Sequence, residues 1–298
     1  MTSVRERIKG SIPALITPMK NGKVDEVAFR KFVSWQIEQG SQGLVPCGTT
    51  GESPTLSHEE HMRVVELCVM EAAGRVPVIA GAGSNSTDEA IALTRHAKEV
   101  GADAVLSVTG YYNKPSQEGQ YRHFKAIAEA VDIPILLYNI PGRAIVEITV
   151  ETMARLSEVP GIFGVKDATG NLARPTRERN ACRKGWRLLS GNDDVALGYM
   201  AHGGHGCISV TANVAPKLCA EFQDACMRGN FDRARELQDK LMPLHDAMFC
   251  EPSPAPAKFG ASLLGHCTPE VRLPLVELTG DGQARVKEAM QGCGLIKA

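Results

Sequence analysis

Short apolar runs alternate with longer amphipathic segments along the chain, and the alternation repeats about eight times before the last quarter of the sequence. Most short runs are apolar at successive positions, which is typical of strands buried on both faces of a parallel sheet. The longer segments have helical spacing, as where Phe29, Phe32 and Val33 share one face ahead of Gly40. The predicted strands span residues 11–17, 43–48, 76–83, 103–110, 133–140, 162–168, 186–191 and 206–211.

This repeat predicts an α/β fold, a (β/α)₈ TIM barrel, because an open doubly wound sheet usually has fewer strands and a glycine-rich nucleotide turn. The strand pattern stops near residue 229, and helical patterns follow. We therefore expect a catalytic barrel over residues 1–229 and a small C-terminal helical appendix over residues 230–298. Capping boxes are expected where Ser57 precedes Glu60 and where Ser86 precedes Glu89.

Composition narrows the class of ligand. The chain has 298 residues and a formal net charge of -1, without the basic excess typical of nucleic-acid or membrane-surface binding. No apolar run approaches the roughly 20 residues of a membrane span. The nine cysteines form no C-x-x-C pair, which is typical of reduced thiols in the cytosol. We expect a cytoplasmic protein that binds small molecules, with no nucleic-acid or membrane partner.

In a barrel of this kind the active site lies at the carboxyl ends of the strands. Lys166 directly follows the largely apolar residues 161–165 and is expected at or inside the barrel mouth. Removing an ammonium from water favours the neutral amine, which attacks carbonyl groups. From spacing alone, a lysine that reaches out of the barrel or pairs with Asp167 explains the position equally well.

Three further places have candidate chemistry. Tyr138 ends the preceding strand and could relay protons, although a core tyrosine with one satisfied hydroxyl also fits. The turn GTTGES at 48–53 could hold a carboxylate through Thr49 and Thr50, or could simply connect a strand to a helix. Arg143 could clamp a second carboxylate or be a solvated surface charge.

The patterns for metal and nucleotide sites are incomplete. His58 and His61 in HEEH are three residues apart rather than four, and no third ligand is evident. The segment GAGSNS at 81–86 lacks the third glycine of a dinucleotide fingerprint and the lysine of a P-loop. We therefore expect neither a metal nor a nucleotide cofactor.

Six longer segments occur in the order GTTGES, YYNKPSQEG, YNIPGR, GVKDATGN, LLSGND and GHGCISVTAN. In that order and spacing, over nearly the whole chain, they resemble the dihydrodipicolinate synthase family within the N-acetylneuraminate lyase superfamily. The resemblance implies a class I lyase that needs no cofactor and condenses pyruvate with L-aspartate 4-semialdehyde. That reaction is the first committed step of diaminopimelate and lysine biosynthesis.

The resemblance also implies roles for individual residues. Lys166 is similar to the family's Schiff-base lysine, and Tyr138 to its proton-shuttling phenol, which is linked through Thr49 to Tyr112 of the partner subunit. That relay implies at least a dimer, and the family is usually a homotetramer, a dimer of dimers. The residues that match the substrate site are Thr50 for the pyruvate carboxylate, Gly191 and Ile208 for the pyruvate pocket, and Arg143 for the carboxylate of the second substrate.

The same resemblance implies feedback inhibition by L-lysine at a dimer interface. Glu89 would meet the ammonium of the ligand, and His58 and Asn85 its polar groups. A capping box also explains Glu89, and a solvated helix face also explains His61. The residues that match this site are Ser53, Pro54, His58, His61, Asn85, Glu89 and Tyr111.

Three positions depart from the family pattern. Gly142 stands where serine is more usual, Pro54 where alanine is usual, and Cys207 where valine is common. Gly142 could loosen the loop that aims Arg143. Two alternatives stay open: a sister aldolase acting on N-acetylneuraminate or a 2-keto-3-deoxy sugar acid, and a non-catalytic barrel that senses a keto acid. Consecutive threonines at 49 and 50, together with Arg143, favour the synthase over the sister aldolases.

Overall fold

The computed structural model describes residues 4–297. The strands are β1 (Gly10–Pro13), β2 (Met19–Lys20), β3 (Lys23–Val24), β4 (Ile79–Gly81), β5 (Ala104–Val108), β6 (Ile135–Asn139), β7 (Ile162–Asp167), β8 (Arg187–Ser190) and β9 (Gly206–Ser209). Seven of them form one sheet in the order β1-β9-β8-β7-β6-β5-β4, and every pair in it is parallel. The strands β2 and β3 form a separate antiparallel hairpin.

A short extended segment closes this sheet into a barrel. Parallel bridges pair Ala14 with Val45 and Leu44 with Val78. The segment therefore lies between β1 and β4, where the sequence predicts the strand at 43–48. It occupies the eighth position around the barrel. Its pairing is brief because the next residue, Pro46, has no N–H to donate. The predicted TIM barrel is confirmed, with each strand shorter than its apolar run.

Helices surround the barrel and follow its strands. They are α1 (Val4–Arg7), α2 (Glu26–Glu38), α3 (His58–Ala72), α4 (Thr87–Glu99), α5 (Gln117–Ala130), α6 (Pro141–Ala144), α7 (Val150–Ser157), α8 (Arg174–Ala181), α9 (Ala196–Ala201), α10 (Pro216–Met227), α11 (Phe231–Ala247), α12 (Ala255–Leu263) and α13 (Gly280–Gly292). The last three helices lie in the segment where the sequence predicts a helical appendix.

Buried apolar side chains form two clusters that follow from the alternation of side chains along each strand. The larger cluster lies between strands and helices and includes Phe29, Phe32 and Phe124. The smaller cluster fills the inside of the barrel and includes Leu136 and Leu189. Because side chains alternate between the two faces of a strand, residues two positions apart share a face. A residue that follows the inner cluster on the same face of its strand therefore points into the barrel mouth.

One of the two predicted capping boxes is present. The Ser57 hydroxyl accepts from the Glu60 N–H at 3.2 Å, and the Glu60 carboxylate accepts from the Ser57 N–H at 3.0 Å. The prediction for Ser86 is wrong: its side chain makes no cap hydrogen bond. The Glu89 carboxylate instead accepts from the Ser84 hydroxyl, and the Ser86 N–H donates to that same hydroxyl at 3.0 Å.

The cysteines have free thiols, and most are buried. Burial raises the pKa of the Cys47 and Cys207 thiols well above the usual range, so these groups are protonated and unreactive. Within residues 4–297, no helix has the length and apolar character needed to cross a membrane.

Candidate active site

Lys166 lies inside the barrel mouth. It is the fifth residue of β7 and pairs in register with Tyr138 on β6 and Leu189 on β8. Only 6% of Lys166 is exposed, and its Nζ lies 4.0 Å from the centroid of the Tyr138 ring. Asp167 points to the opposite face of the strand, where its carboxylate is 3.9 Å from Arg174 Nε. The alternatives of a lysine that leaves the barrel or pairs with Asp167 are therefore wrong.

Glycine at position 191 makes room for this lysine. A Cβ built on Gly191 would lie 3.1 Å from Lys166 Cε and 2.8 Å from Ala168 Cβ. Both distances are too short for an unshifted side chain, so a larger residue would push the amine away from its position. This close approach, at the end of β8, is the local reason for a glycine in LLSGND.

The turn after the closing segment faces the same amine. Residues Thr49–Gly51 form one turn of 3-10 helix, in which Thr50 is buried and Thr49 half-buried. The Thr17 hydroxyl donates to the Gly51 carbonyl at 2.7 Å, which ties the turn to the chain that follows β1. Both threonines line the cavity that also contains Lys166.

A cavity of about 830 Å³ brings most of the predicted substrate residues together. Thr49, Thr50, Tyr138, Arg143, Lys166 and Gly191 all line it. Ile208 does not: it is fully buried in the inner cluster of the barrel, and Val210, two residues on, reaches the wall instead. Val210 lies just after β9, and the role of Ile208 in the pyruvate pocket stays a prediction.

Arg143 lies in the short helix α6, directly after β6. It is exposed, and it lines the large cavity and a second cavity beside it. A Cβ at the preceding residue, Gly142, would meet no atom within 4 Å, so the serine usual in the family would fit without strain. Gly142 itself lines the large cavity, so the departure removes a side chain from the cavity wall.

The outer wall of the large cavity comes from the C-terminal helices, which sequence reasoning missed. It contains His245, Asp246, Phe249, Cys250, Ser253 and Arg285. His245 is buried, and its Nδ1 is 2.8 Å from the Thr211 hydroxyl. No local pattern marks these residues, because they reach the barrel mouth only through the packing of the appendix on it.

Asp193 fixes the loops after β8 and β9 to each other. Its carboxylate accepts from the N–H groups of Val210 at 2.9 Å and Thr211 at 3.2 Å. The Ser209 hydroxyl donates to it at 2.5 Å. The Cys207 thiol lies 3.9 Å from the same carboxylate and is buried, so the cysteine in place of valine lies behind the pocket rather than in it.

A second cavity of about 340 Å³ lies beside the first and shares Thr49, Ile140 and Arg143 with it. Most residues predicted for the effector line it: Ser53, Pro54, His58, His61, Glu89 and Tyr111. Asn85 is not on the wall, but its side-chain amide donates to the Tyr111 carbonyl at 3.1 Å. The structure thus brings these residues together at one place.

Glu89 is the acidic group of this second cavity. The hydrogen bond from Ser84 and the contact with His58, 2.7 Å from Nε2 to Oε1, hold its pKa below the usual range. His61 is 7% exposed, so the alternative of a solvated helix face is wrong. Burial lowers the pKa of His61 to about 4, and its ring is therefore neutral at pH 7.

Tyr112 is not part of the site within one chain. Its side chain is 90% exposed, and its backbone is left-handed with φ 70°. The neighbouring Tyr111 turns the other way and lines the second cavity. Among residues 4–297, no cluster of three or more histidine, cysteine or acidic side chains could hold a metal ion.

Comparison with known proteins identifies the family. A family model described as the dihydrodipicolinate synthetase family matches residues 7–292. The chain belongs to this family. The 4-hydroxy-tetrahydrodipicolinate synthase of Parvibaculum lavamentivorans is 66% identical over 288 residues, which cover 97% of this chain and 99% of the relative. The enzyme of the same name from Rhizobium meliloti is 61% identical over 289 residues, with 97% and 99% covered.

Solved structures give the same result. Dihydrodipicolinate synthase from Aquifex aeolicus has a TM-score of 0.95 at 45% identity, covering 98% of this chain and 100% of that chain. The enzyme from Acinetobacter baumannii, solved with pyruvate, has a TM-score of 0.95 at 45% identity and covers 97% and 100%. The enzyme from Cyanidioschyzon merolae, solved with lysine bound, has a TM-score of 0.94 at 37% identity and covers 97% and 99%. The activity of this chain is that of a 4-hydroxy-tetrahydrodipicolinate synthase, a lyase of the aldolase class.

Proposed function

We propose that Lys166 is the amine that captures pyruvate and that Tyr138 moves the protons of the reaction. The observation that carries this proposal is the placement of a nearly buried amine 4.0 Å above the Tyr138 ring, at the inner end of a large cavity. The amine in that place faces an incoming ketone, while the neighbouring phenol can give and take protons.

The covalent step begins when the Lys166 amine adds to the ketone of pyruvate. Loss of water from the adduct leaves an iminium, which withdraws electrons from the adjacent methyl group. Loss of a methyl proton then gives an enamine nucleophile. Tyr138 takes and returns these protons, and Thr49 passes them on. The protonated lysine adduct itself is the electron sink, so the step draws on no cofactor.

The polar groups around the amine suit two carboxylate substrates. Thr50 offers a backbone amide and a hydroxyl to the carboxylate of pyruvate, and Gly191 leaves space beside the amine. Arg143 meets the carboxylate of L-aspartate 4-semialdehyde. The enamine carbon attacks the aldehyde, after which the amine of that substrate displaces Lys166 and closes a six-membered ring.

The substrate assignment is tested by assaying the purified protein with pyruvate plus L-aspartate 4-semialdehyde and, separately, with N-acetylneuraminate. We expect turnover of the first pair, because Arg143 on the cavity wall fits a second carboxylate rather than a sugar chain. Turnover of N-acetylneuraminate alone would identify the sister aldolase instead.

Replacement of the two central side chains tests the chemistry. We expect Lys166→Ala to abolish turnover and the adduct that borohydride traps with pyruvate, as mapped by mass spectrometry. Tyr138→Phe should slow turnover by about 10²-fold, the loss typical of an acid-base group. A wild-type rate in either variant contradicts the assigned role. Pyruvate binding without any trapped adduct on the wild-type protein would favour the non-catalytic sensor.

We propose further that the chain works as an oligomer, at least a dimer and by resemblance a dimer of dimers, in which Tyr112 of the partner subunit completes the proton relay. A phenol that is 90% exposed on a left-handed backbone projects away from its own chain. An aromatic residue held in this way is suited to insertion into a neighbouring molecule. Among the described residues that line the active-site cavity of the same chain, Tyr138 is the only tyrosine.

Mixing two impaired variants tests this arrangement. Lys166→Ala and Tyr112→Phe are each expected to be slow, but dimers formed from one copy of each contain one site with both an intact lysine and an intact partner tyrosine. We therefore expect mixing, after dissociation and reassociation, to restore activity above that of either variant alone. The control is each variant taken through the same steps by itself. No gain on mixing would place Tyr112 in its own chain's site or outside the relay.

We propose that the second cavity binds L-lysine as a feedback effector. Glu89 supplies a carboxylate with a lowered pKa for an ammonium, and neutral His61 and the Tyr111 ring border the same space. Support comes also from the similar enzyme of Cyanidioschyzon merolae, which was solved with lysine bound. The wall shared with the active-site cavity gives such a ligand contact with Thr49 and Arg143.

Glu89→Gln tests the effector site. We expect turnover without lysine to stay near the wild-type rate and the lysine concentration that halves the rate to rise about tenfold or more, because a charge-assisted contact is lost. The matched control is Glu99→Gln, an exposed acid at the end of the same helix α4. Equal inhibition of both variants would mean that lysine, if it acts, acts elsewhere.

A further inference from the structure

Glu52 lies between the two cavities, in a backbone conformation that glutamate rarely adopts. Thr49 and Thr50, in the turn before Glu52, line the active-site cavity. Ser53 and Pro54, directly after Glu52, line the second cavity. Glu52 itself is left-handed, with φ 57°. For a residue other than glycine that conformation is unfavourable, and it persists where the surrounding structure holds it.

The side chain of Glu52 is held by the C-terminal appendix. Its carboxylate is 1% exposed and forms an ion pair with Nζ of Lys258 in α12, a side chain that is fully buried. The Arg272 N–H donates to the other carboxylate oxygen at 2.9 Å. The Lys258 ammonium also donates to the Glu270 carbonyl at 2.6 Å. Both ends of this buried pair are therefore fixed by further contacts.

The backbone of Glu52 passes this restraint to the threonines. The Glu52 N–H donates to the Thr49 carbonyl at 3.1 Å, so the carboxylate anchor and the catalytic turn form one unit. The turn is packed tightly on its other side, where a Cβ on Gly51 would lie 3.1 Å from the Leu15 carbonyl. We therefore expect a change in the side chain of Glu52 to move Thr49 and Thr50, because the turn has no free space on its other side.

A buried ion pair is a poor way to gain stability, because taking two charges out of water costs about as much as their attraction returns. Burial lowers the pKa of Lys258, and the Glu52 carboxylate opposes that change. Apolar side chains of similar volume would serve the core as well. What they would lack is a directional contact that fixes the carboxylate, and with it the turn, in one orientation.

We propose that the Glu52–Lys258 ion pair is a positioning device that holds the Thr49–Gly51 turn in the orientation that binds the carboxylate of pyruvate. Neither residue is among those that line the active-site cavity. Both act through the threonines, so this inference rests on the proposed role of Thr50. It assigns to the appendix a part in the active site beyond covering the barrel mouth.

The test measures the pyruvate concentration that gives half-maximal trapping of the Lys166 adduct by borohydride, together with kcat and the KM of each substrate. We expect Lys258→Met to raise the half-maximal concentration and the pyruvate KM about tenfold, because the ion pair that holds the Glu52 carboxylate is lost, and to change kcat less. Glu52→Gln, which keeps the shape of the side chain and an acceptor for the Arg272 N–H, should give a smaller rise in the same direction.

A double variant separates positioning from stability. Lys258→Met leaves a buried carboxylate without its partner, so it also lowers stability, whereas Glu52→Gln with Lys258→Met leaves no buried charge and should recover much of the unfolding midpoint. We expect the raised pyruvate KM to remain in the double variant. Leu156→Ala, a core change in α7, is the control: it lowers the midpoint but should leave the pyruvate KM unchanged.

Two outcomes overturn the inference. One is a wild-type pyruvate KM in the folded double variant, and the other is a KM that follows the unfolding midpoint through all the variants, Leu156→Ala included. Failure of the proposed function looks different, because the wild-type protein itself would then give no pyruvate adduct on Lys166. The two failures are distinguished by the wild-type measurement.

Discussion

The placement of one lysine amine inside a closed parallel barrel is the constraint on which the site depends. Parallel register sets Lys166 beside Tyr138, and alternation along the strands turns both side chains inward. Glycines make that geometry possible: a Cβ on Gly164, two residues before the lysine, would lie 2.4 Å from the Arg187 carbonyl, and one on Gly191 would crowd the amine itself. The missing Cβ at Gly164 lets neighbouring strands approach closely, and the missing Cβ at Gly191 leaves space for the Lys166 side chain.

The parts of the fold that the sequence predicted are those that depend on the local periodicity of apolar residues. Eight apolar runs specify eight positions around the barrel, although the run at 43–48 forms only two isolated bridges because prolines limit its pairing. The ends of those runs place Lys166 and Tyr138 at the mouth. The family resemblance then assigned roles that spacing alone left open, since a buried lysine and a lysine reaching outward have the same pattern.

One error has a local cause and the others have tertiary causes. The Ser86 cap is absent because the Ser84 hydroxyl contacts both Glu89 and the Ser86 N–H, a competition that a three-residue spacing rule does not include. His61 is buried because neighbouring structure covers its helix face. The outer cavity wall, with His245 and Arg285, comes from helices that lie far along the chain. The burial of His61 and the outer cavity wall both depend on residues that come together only after the barrel has closed.

The two cavities share Thr49, Ile140 and Arg143, so a ligand in either cavity would border the same three residues. Tyr111 lines the second cavity while Tyr112, the next residue, projects from the chain. A partner molecule that takes up Tyr112 therefore also fixes the backbone that borders the second cavity. Coupling between binding sites is reciprocal. If a ligand in the second cavity reorients Arg143, it changes the affinity of the first cavity for a substrate carboxylate by some factor. A substrate carboxylate bound at Arg143 must then change the affinity of the second cavity for its ligand by the same factor.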